Sequence, residues 1–191
     1  MELHDGAGAQ LRAIALLVLM ASCLSVVANA DDAKIVSDFE SRVSNYLGMR
    51  KKDAGSTGRP TNSADKVSET QQNVASKAKA LRPDANQGDI FTPEIATYFR
   101  RQISTLMTGA EGAKIRASLR RAEPVHGVAL HVNQEYPEGI PLQSTPPSLL
   151  LKLPTLPDGL EYRIVGRNLV LRDAAPNLVV DFIPNALPAQ E

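Results

Sequence analysis

The stretch Glu161 to Ile183, EYRIVGRNLVLRDAAPNLVVDFI, decides the fold, because its apolar residues alternate and its turn residues fall at regular intervals. Glu161–Val165, Asn168–Arg172 and Asn177–Ile183 read as three antiparallel strands. Gly166-Arg167 suits a two-residue hairpin turn with glycine first. That register sets Ile164 opposite Leu169 and Tyr162 opposite Leu171. A four-residue loop, Asp173 to Pro176, then sets Leu171 opposite Leu178 and Leu169 opposite Val180. One apolar face results, and a slip of one residue would turn it to water. On this reading Arg163, Arg172 and Asp181 occupy the opposite, wetter face.

Upstream of the meander the chain is dense in proline. Tyr136 to Pro157 contains Pro137, Pro141, Pro146, Pro147, Pro154 and Pro157, which deny a central strand and favour an extended strap. Within it, Ser148 to Leu153 (SLLLKL) suits one helical turn, with Leu149, Leu150 and Leu153 packed inward. Before the strap, Val128, Leu130 and Val132 alternate with Ala129 and His131, the pattern of a strand.

The remaining periodicity is helical. Ile95, Phe99, Ile103 and Leu106 form a stripe behind Thr92-Pro93-Glu94, in which Thr92 caps, Pro93 suits the first helical position and Glu94 meets the positive helix end. Gly109 and Gly112 mark a turn, and a shorter helix with Ile115 and Leu119 runs to Glu123, stopped by Pro124. Farther upstream Val36, Phe39, Val43, Tyr46 and Leu47 make a stripe at offsets of three and four. Its last turn, into Arg50, Lys51 and Lys52, should be frayed and solvated. After a flexible linker at 54–64, Asp65 to Leu81 carries a thin stripe of Val67, Val74, Ala78 and Leu81, whose heptad steps suit a long hairpin with the first helix. The expected architecture is therefore α+β: N-terminal amphipathic helices over 31–87, then a domain over 88–188 with a capped helix pair and a small C-terminal antiparallel meander under a proline-rich strap.

Residues 1–30 read as a secretory signal peptide. Arg12 precedes an apolar run from Ala13 to Val27, and Ala28-Asn29-Ala30 offers small residues for cleavage before Asp31. The run is shorter than the roughly 20 residues that span a bilayer, so no transmembrane span is expected after cleavage. Glu2 and Asp5 place acid where basic residues are usual. Met20-Ala21-Ser22-Cys23 gives a second reading, lipid anchorage at Cys23, but Leu24, Val26 and Val27 continue the apolar run beyond the cysteine. Cys23 is the chain's one cysteine, so cleavage after Ala30 leaves a mature protein without a thiol or disulfide. The expected destination is the periplasm or the extracellular space.

Composition excludes several roles. Basic and acidic residues balance at 21 each, and loss of Arg12, Glu2 and Asp5 leaves the chain near neutral, so no nucleic-acid partner is expected. Tryptophan is absent and aromatics make up 4%, which points to an aliphatic core. The G-x-S-x-G, P-loop, G-x-G-x-x-G and H-E-x-x-H patterns are all missing, and neither a catalytic residue nor a cofactor is assigned.

Gly88-Asp89-Ile90-Phe91-Thr92-Pro93 and Val132 to Asp173 resemble a family of small exported proteins of environmental bacteria that has no assigned function. Leu153-Pro154, Glu161-Tyr162-Arg163, Leu169-Val170-Leu171 and Leu178-Val179-Val180-Asp181 also resemble the hairpin that closes small periplasmic proteins of the RcnB type. The second resemblance implies a periplasmic location and a small sheet, and carries over no ligand or catalytic residue.

Candidate sites follow from the remaining polar residues. His126 and His131, with Glu123 and Glu135 nearby, invite a metal reading. Five residues apart on one strand, however, their rings point to opposite faces unless the chain bends at Gly127, so ordinary strand histidines are expected. Arg100, Arg101, Arg116, Arg120 and Arg121 gather basic charge on the middle helices, either a surface for an anionic partner or a solvated face balanced by Glu94, Glu111 and Glu123. Glu135 and Glu138 form an acid pair in a polar loop. The leading function is a non-enzymatic, exported interaction or accessory module, with a protein partner or self-association through helices 31–81 or the strap 136–157. The alternative is an exported small-molecule binder or enzyme with a site near the 131–138 loop and the 100–121 helices.

Overall fold

The three strands form as the alternation requires: β1 (Leu160–Val165), β2 (Asn168–Asp173) and β3 (Leu178–Ile183) make an antiparallel meander in the order β1-β2-β3. The structure is a computed structural model that describes residues 30–52, 64–121, 128–137 and 145–189. Of the segment 1–30 that reads as a signal peptide, residues 1–29, Cys23 with them, lie outside the described residues, as does most of the 54–64 linker. In the first hairpin Ile164 faces Leu169 and Tyr162 faces Leu171, as expected. Gly166 supplies the turn's left-handed residue at φ 59°.

The second hairpin departs from the expected register. Its four-residue loop is Ala174–Asn177, so Asp173 faces Leu178, Arg172 faces Val179, and Leu171 faces Asp181. Val180 is passed over in that ladder, which makes it the extra residue of a β-bulge. Two local features hold the loop one residue later than strict alternation suggests. Asn177 takes the left-handed conformation at φ 54°, which asparagine tolerates, and Asp173 Oδ1 accepts the Ala175 N–H. The bulge breaks the period of two, so Val180 and Ile183 both enter the main core while Val179 and Phe182 serve the other face.

The same bulge corrects the expectation for Asp181. Its side chain is wholly buried, as is that of Asp173, and Arg172 is 8% exposed. None of the three stands on a wet face.

Five helices accompany the sheet among the described residues: α1 (30–52), α2 (Ala64–Leu81), α3 (Pro93–Leu106), α4 (Gly109–Arg121) and the single turn α5 (Pro147–Leu150). Together they make an α+β fold. α3 starts as read: Thr92 Oγ1 accepts the Ile95 N–H and Pro93 opens the first turn. Gly112 lies inside α4 rather than in the turn before it. A Cβ there would stand 2.2 Å from the Met107 carbonyl carbon, so only glycine lets the two helices meet so closely.

The stripes of α1 and α2 are covered differently from the long hairpin expected. Phe39, Val43, Tyr46 and Leu47 of α1 join one hydrophobic cluster with Ile95, Phe99 and Ile103 of α3 and with Tyr162, Ile164, Leu169 and Leu171 of the sheet. That cluster draws on residues from both sides of position 88. Ala75 and Ala78 of α2 pack instead on Leu178 of β3. Asn133 closes the end of α2 by donating from Nδ2 to the carbonyls of Lys79 and Arg82, at 3.2 and 2.8 Å.

At the centre of the core the few aromatics meet. Phe39 stacks on Phe91 at 5.6 Å, Phe99 sits edge-on to both, and Tyr162 stacks on Phe39 from β1 at 6.5 Å. The core is therefore aromatic at its middle and aliphatic around it, since low content does not prevent concentration. Each such pair adds about 0.5–1.5 kcal/mol beyond area burial.

Val128 and Leu130 form no strand. They pack on the far side of the sheet against Tyr136, Val165, Val170 and Val179. The chain pairs with β3 only afterwards: the Asn133 N–H donates to Val179 O, the Val179 N–H to Gln134 O, and the Tyr136 N–H to Asn177 O.

Candidate functional site

The proline strap leaves apolar side chains in water beside a groove. Pro147 opens α5, whose single turn cannot aim three successive leucines the same way, because helical neighbours diverge by about 100°. Leu149 is wholly buried and Leu153 is 6% exposed, whereas Leu150 is 42% and Leu151 83% exposed. The inward packing expected of Leu150 does not occur.

Between the strap and the sheet lies a groove of about 350 Å³. One wall is β1 at Leu160, Glu161, Tyr162 and Arg163. The other is the strap at Pro154, Thr155 and Leu156, and Thr145 and Leu150 complete the lining. Pro154 has no N–H, so the strap cannot extend the sheet as a regular strand. It is pinned alongside instead: the Tyr162 hydroxyl donates to Pro154 O at 2.9 Å, and the Thr145 hydroxyl donates to Tyr162 O at 2.8 Å. A second hollow of about 220 Å³, which shares Thr155, is lined by Phe39, Glu40, Val43, Ser44 and Pro157.

Register determines what β1 presents to the groove. Val165 and Asn168 flank a two-residue turn, so Val165, Arg163 and Glu161 direct their backbone groups to β2. Leu160, Tyr162 and Ile164 turn theirs outward, consistent with the Thr145 bond to Tyr162 O.

The polar end of the groove is a charged cluster. Glu161 is shared by two arginines: Oε2 pairs with Arg163 and Oε1 with Arg172. Arg172 also donates from Nε and Nη2 to Asn177 Oδ1, at 2.9 and 2.6 Å, and its guanidinium stands 5.4 Å from the Tyr136 ring centre. Two buried polar atoms here have no hydrogen-bond partner among the described residues, Arg163 Nε and Tyr136 Oη. Burial pushes the Tyr136 hydroxyl above its ordinary pKa, an effect that Arg163 and Arg172 oppose. One carboxylate thus neutralises one of the two guanidinium charges, leaving a donor and net positive charge at the end of an otherwise apolar groove.

The other buried charges hold the fold together. Asp181 accepts the N–H groups of Gly88, Ile90 and Phe91, and also its neighbour's at Phe182. Asp173 accepts the Tyr46 hydroxyl at 2.8 Å, and Arg50 Nε lies 2.9 Å from the same oxygen, an ion pair without hydrogen-bond alignment. The expected fraying of the last α1 turn is therefore corrected: Arg50 reaches back into the sheet with its side chain 14% exposed. Burial, followed by the Asp173 carboxylate, drives the Tyr46 hydroxyl far above its ordinary pKa, so it stays a donor.

The residues singled out from sequence do not converge. Arg100 donates to Pro184 O, Arg101 pairs with Asp32 of α1, and Arg116 donates to Met107 O at the end of α3. The side chains of Arg120 and Arg121, with His126, Glu138 and Ala28, lie outside those described. Ala30 and Asp31 are exposed residues at the described start of α1. His131 is exposed, and Glu135 meets Lys79 at 3.6 Å. Among the described residues no group of three or more His, Cys, Asp or Glu is placed to hold a metal ion, and no helix is long and apolar enough to cross a membrane. Arg163 and the groove were missed. The signal for them was three consecutive leucines in a segment too short to bury all three.

Compared with known protein families, with curated proteins and with solved structures, the chain matches none.

Proposed function

We propose that this protein is an exported, non-enzymatic interaction module that engages a partner protein through the strap 145–157 and the groove beside β1. The observation that carries this reading is Leu150, 42% exposed where it lines the groove, followed directly in the strap by Leu151, 83% exposed. Apolar side chains grouped beside a concavity gain from being covered, at roughly 25 cal/mol per Å² removed from water. Export rests on the leader-like segment ending at Ala30. Both resemblances agree with it, since each is to exported or periplasmic proteins.

The test uses the full chain in its producing cell. A photo-crosslinking residue at position 151 should capture a discrete partner in the exported fraction, while one at the exposed Lys77 of α2 should not. The recovered chain should begin at Asp31. Identical adducts from both positions, or none from 151, would overturn the docking role. An unprocessed cytoplasmic chain would overturn the export.

A further inference from the structure

We infer that the groove beside β1 takes a short extended peptide that carries a carboxylate next to apolar side chains; this rests on the interaction-module reading and names the partner's chemistry.

Shape argues for an extended chain. Four consecutive residues of β1, Leu160 to Arg163, form one wall, so the groove runs about 10 Å at the usual rise per strand residue. A strand-like segment of similar length can lie along that wall. Both walls, strand and strap, are themselves extended.

Polarity argues for a peptide with an acid. Tyr162 is one of the residues that turn their backbone outward; its carbonyl accepts the Thr145 hydroxyl, and its N–H, turned the same way, has no acceptor among the described residues. A peptide carbonyl satisfies that donor, and an acyl chain has nothing to offer it. Arg163 lines the same groove, and its Nε is buried without a partner while Glu161 occupies its Nη2. A carboxylate completes the guanidinium with a charge-assisted bond. Leu150, Pro154 and Leu156 then receive the adjacent apolar side chain.

The experiment selects phage-displayed random heptapeptides on the full-length protein. Enriched sequences should hold Asp or Glu beside a β-branched or leucine residue. Synthetic copies should bind about tenfold or more weakly to Arg163→Gln. They should bind a few-fold more weakly to Leu150→Ser, which lies at the exposed lip and leaves the core untouched. Binding should also slow hydrogen exchange at the Tyr162 amide and leave that of Arg163, already paired to β2, unchanged. Failure to enrich any peptide, peptides without an acidic position, or equal binding to Arg163→Gln would overturn the proposal. So would decanoate binding that depends on Arg163 and displaces the peptides. The outcomes separate from those of the previous test. If position 151 captures a partner and no peptide binds, the module stands and the strand-like ligand falls. If peptides bind and position 151 captures nothing, the groove's chemistry stands and the cellular role falls.

Discussion

Asp173 and Asp181 lie at the loop end of β2 and in the middle of β3, both sealed from water, and they are held by opposite kinds of partner. Asp181 is gripped by backbone: three N–H groups of the loop before α3 converge on it from about ninety positions upstream. Asp173 is gripped mainly by side chains of α1, the Tyr46 hydroxyl and the Arg50 guanidinium. The first arrangement fixes the backbone of a loop whose Ile90 and Phe91 side chains enter the core. The second fastens a helix that is already held by Phe39, Val43 and Leu47. A backbone amide has no substitute when its acceptor is lost, whereas an amphipathic helix keeps its apolar face, so the two carboxylates should not be equally costly to remove.

The largest effect should come from Asp181→Ala. It strands the buried amides of Ile90 and Phe91 and the half-buried one of Gly88, each buried amide costing about 1–3 kcal/mol, and a total loss of about 4 kcal/mol is expected in urea denaturation. A cost below about 1 kcal/mol would mean that the loop finds other acceptors and would erase the contrast. Tyr46→Phe removes one hydrogen bond to a charged acceptor and keeps the ring in the core; about 2 kcal/mol is expected. Equal losses in the two variants would show that the α1 contact matters as much as the loop.

A further separation lies along the pH axis. Burial raises both carboxyl pKa values above the ordinary 3.8, against the pull of their hydrogen bonds. The folded state therefore holds these protons more tightly than the unfolded chain. Their contribution to stability is full below the ordinary value and is lost as pH rises through the raised folded value. Asp181→Asn and Asp173→Asn should each flatten the decline in stability over that window, and a slope unchanged in both variants would place its origin elsewhere. The smallest effect belongs to Thr92→Ala. Its cap bond to Ile95 is long, at 3.4 Å, and Asp181 already holds the preceding loop, so about 0.5 kcal/mol is expected from thermal or urea unfolding. A loss above about 2 kcal/mol would make the helix cap, and not Asp181, the anchor of α3.

The sequence was legible where a local rule suffices. The first hairpin followed from Gly166 and from alternation, and the start of α3 followed from Thr92-Pro93-Glu94. The second hairpin was misplaced because its loop lies one residue later, at Ala174–Asn177, and a bulge at Val180, which leaves no compositional mark, shifts the register by one more. Arg163, Arg172 and Asp181 were read as wet because alternation counts faces and not neighbours; helices and strap pack on one face of this sheet, and Val128, Leu130 and Tyr136 pack on the other. The arginines of α3 and α4 looked like a patch in one dimension. In space Arg100, Arg101 and Arg116 serve three different carbonyl or carboxylate partners. The groove was hidden because it joins residues 145–156 to 160–163 through a strap whose path no periodicity describes.

Sequence alone determined the α+β class, the three strands of the meander and the helix stripes, since each depends on neighbours within one turn or one pleat. Tertiary structure alone decided that Asp173 and Asp181 are buried, that three phenylalanines meet at the core, and that Leu150 and Arg163 line one groove. Those outcomes depend on which surfaces exclude water together, and that is a property of the packed chain and not of any segment of it.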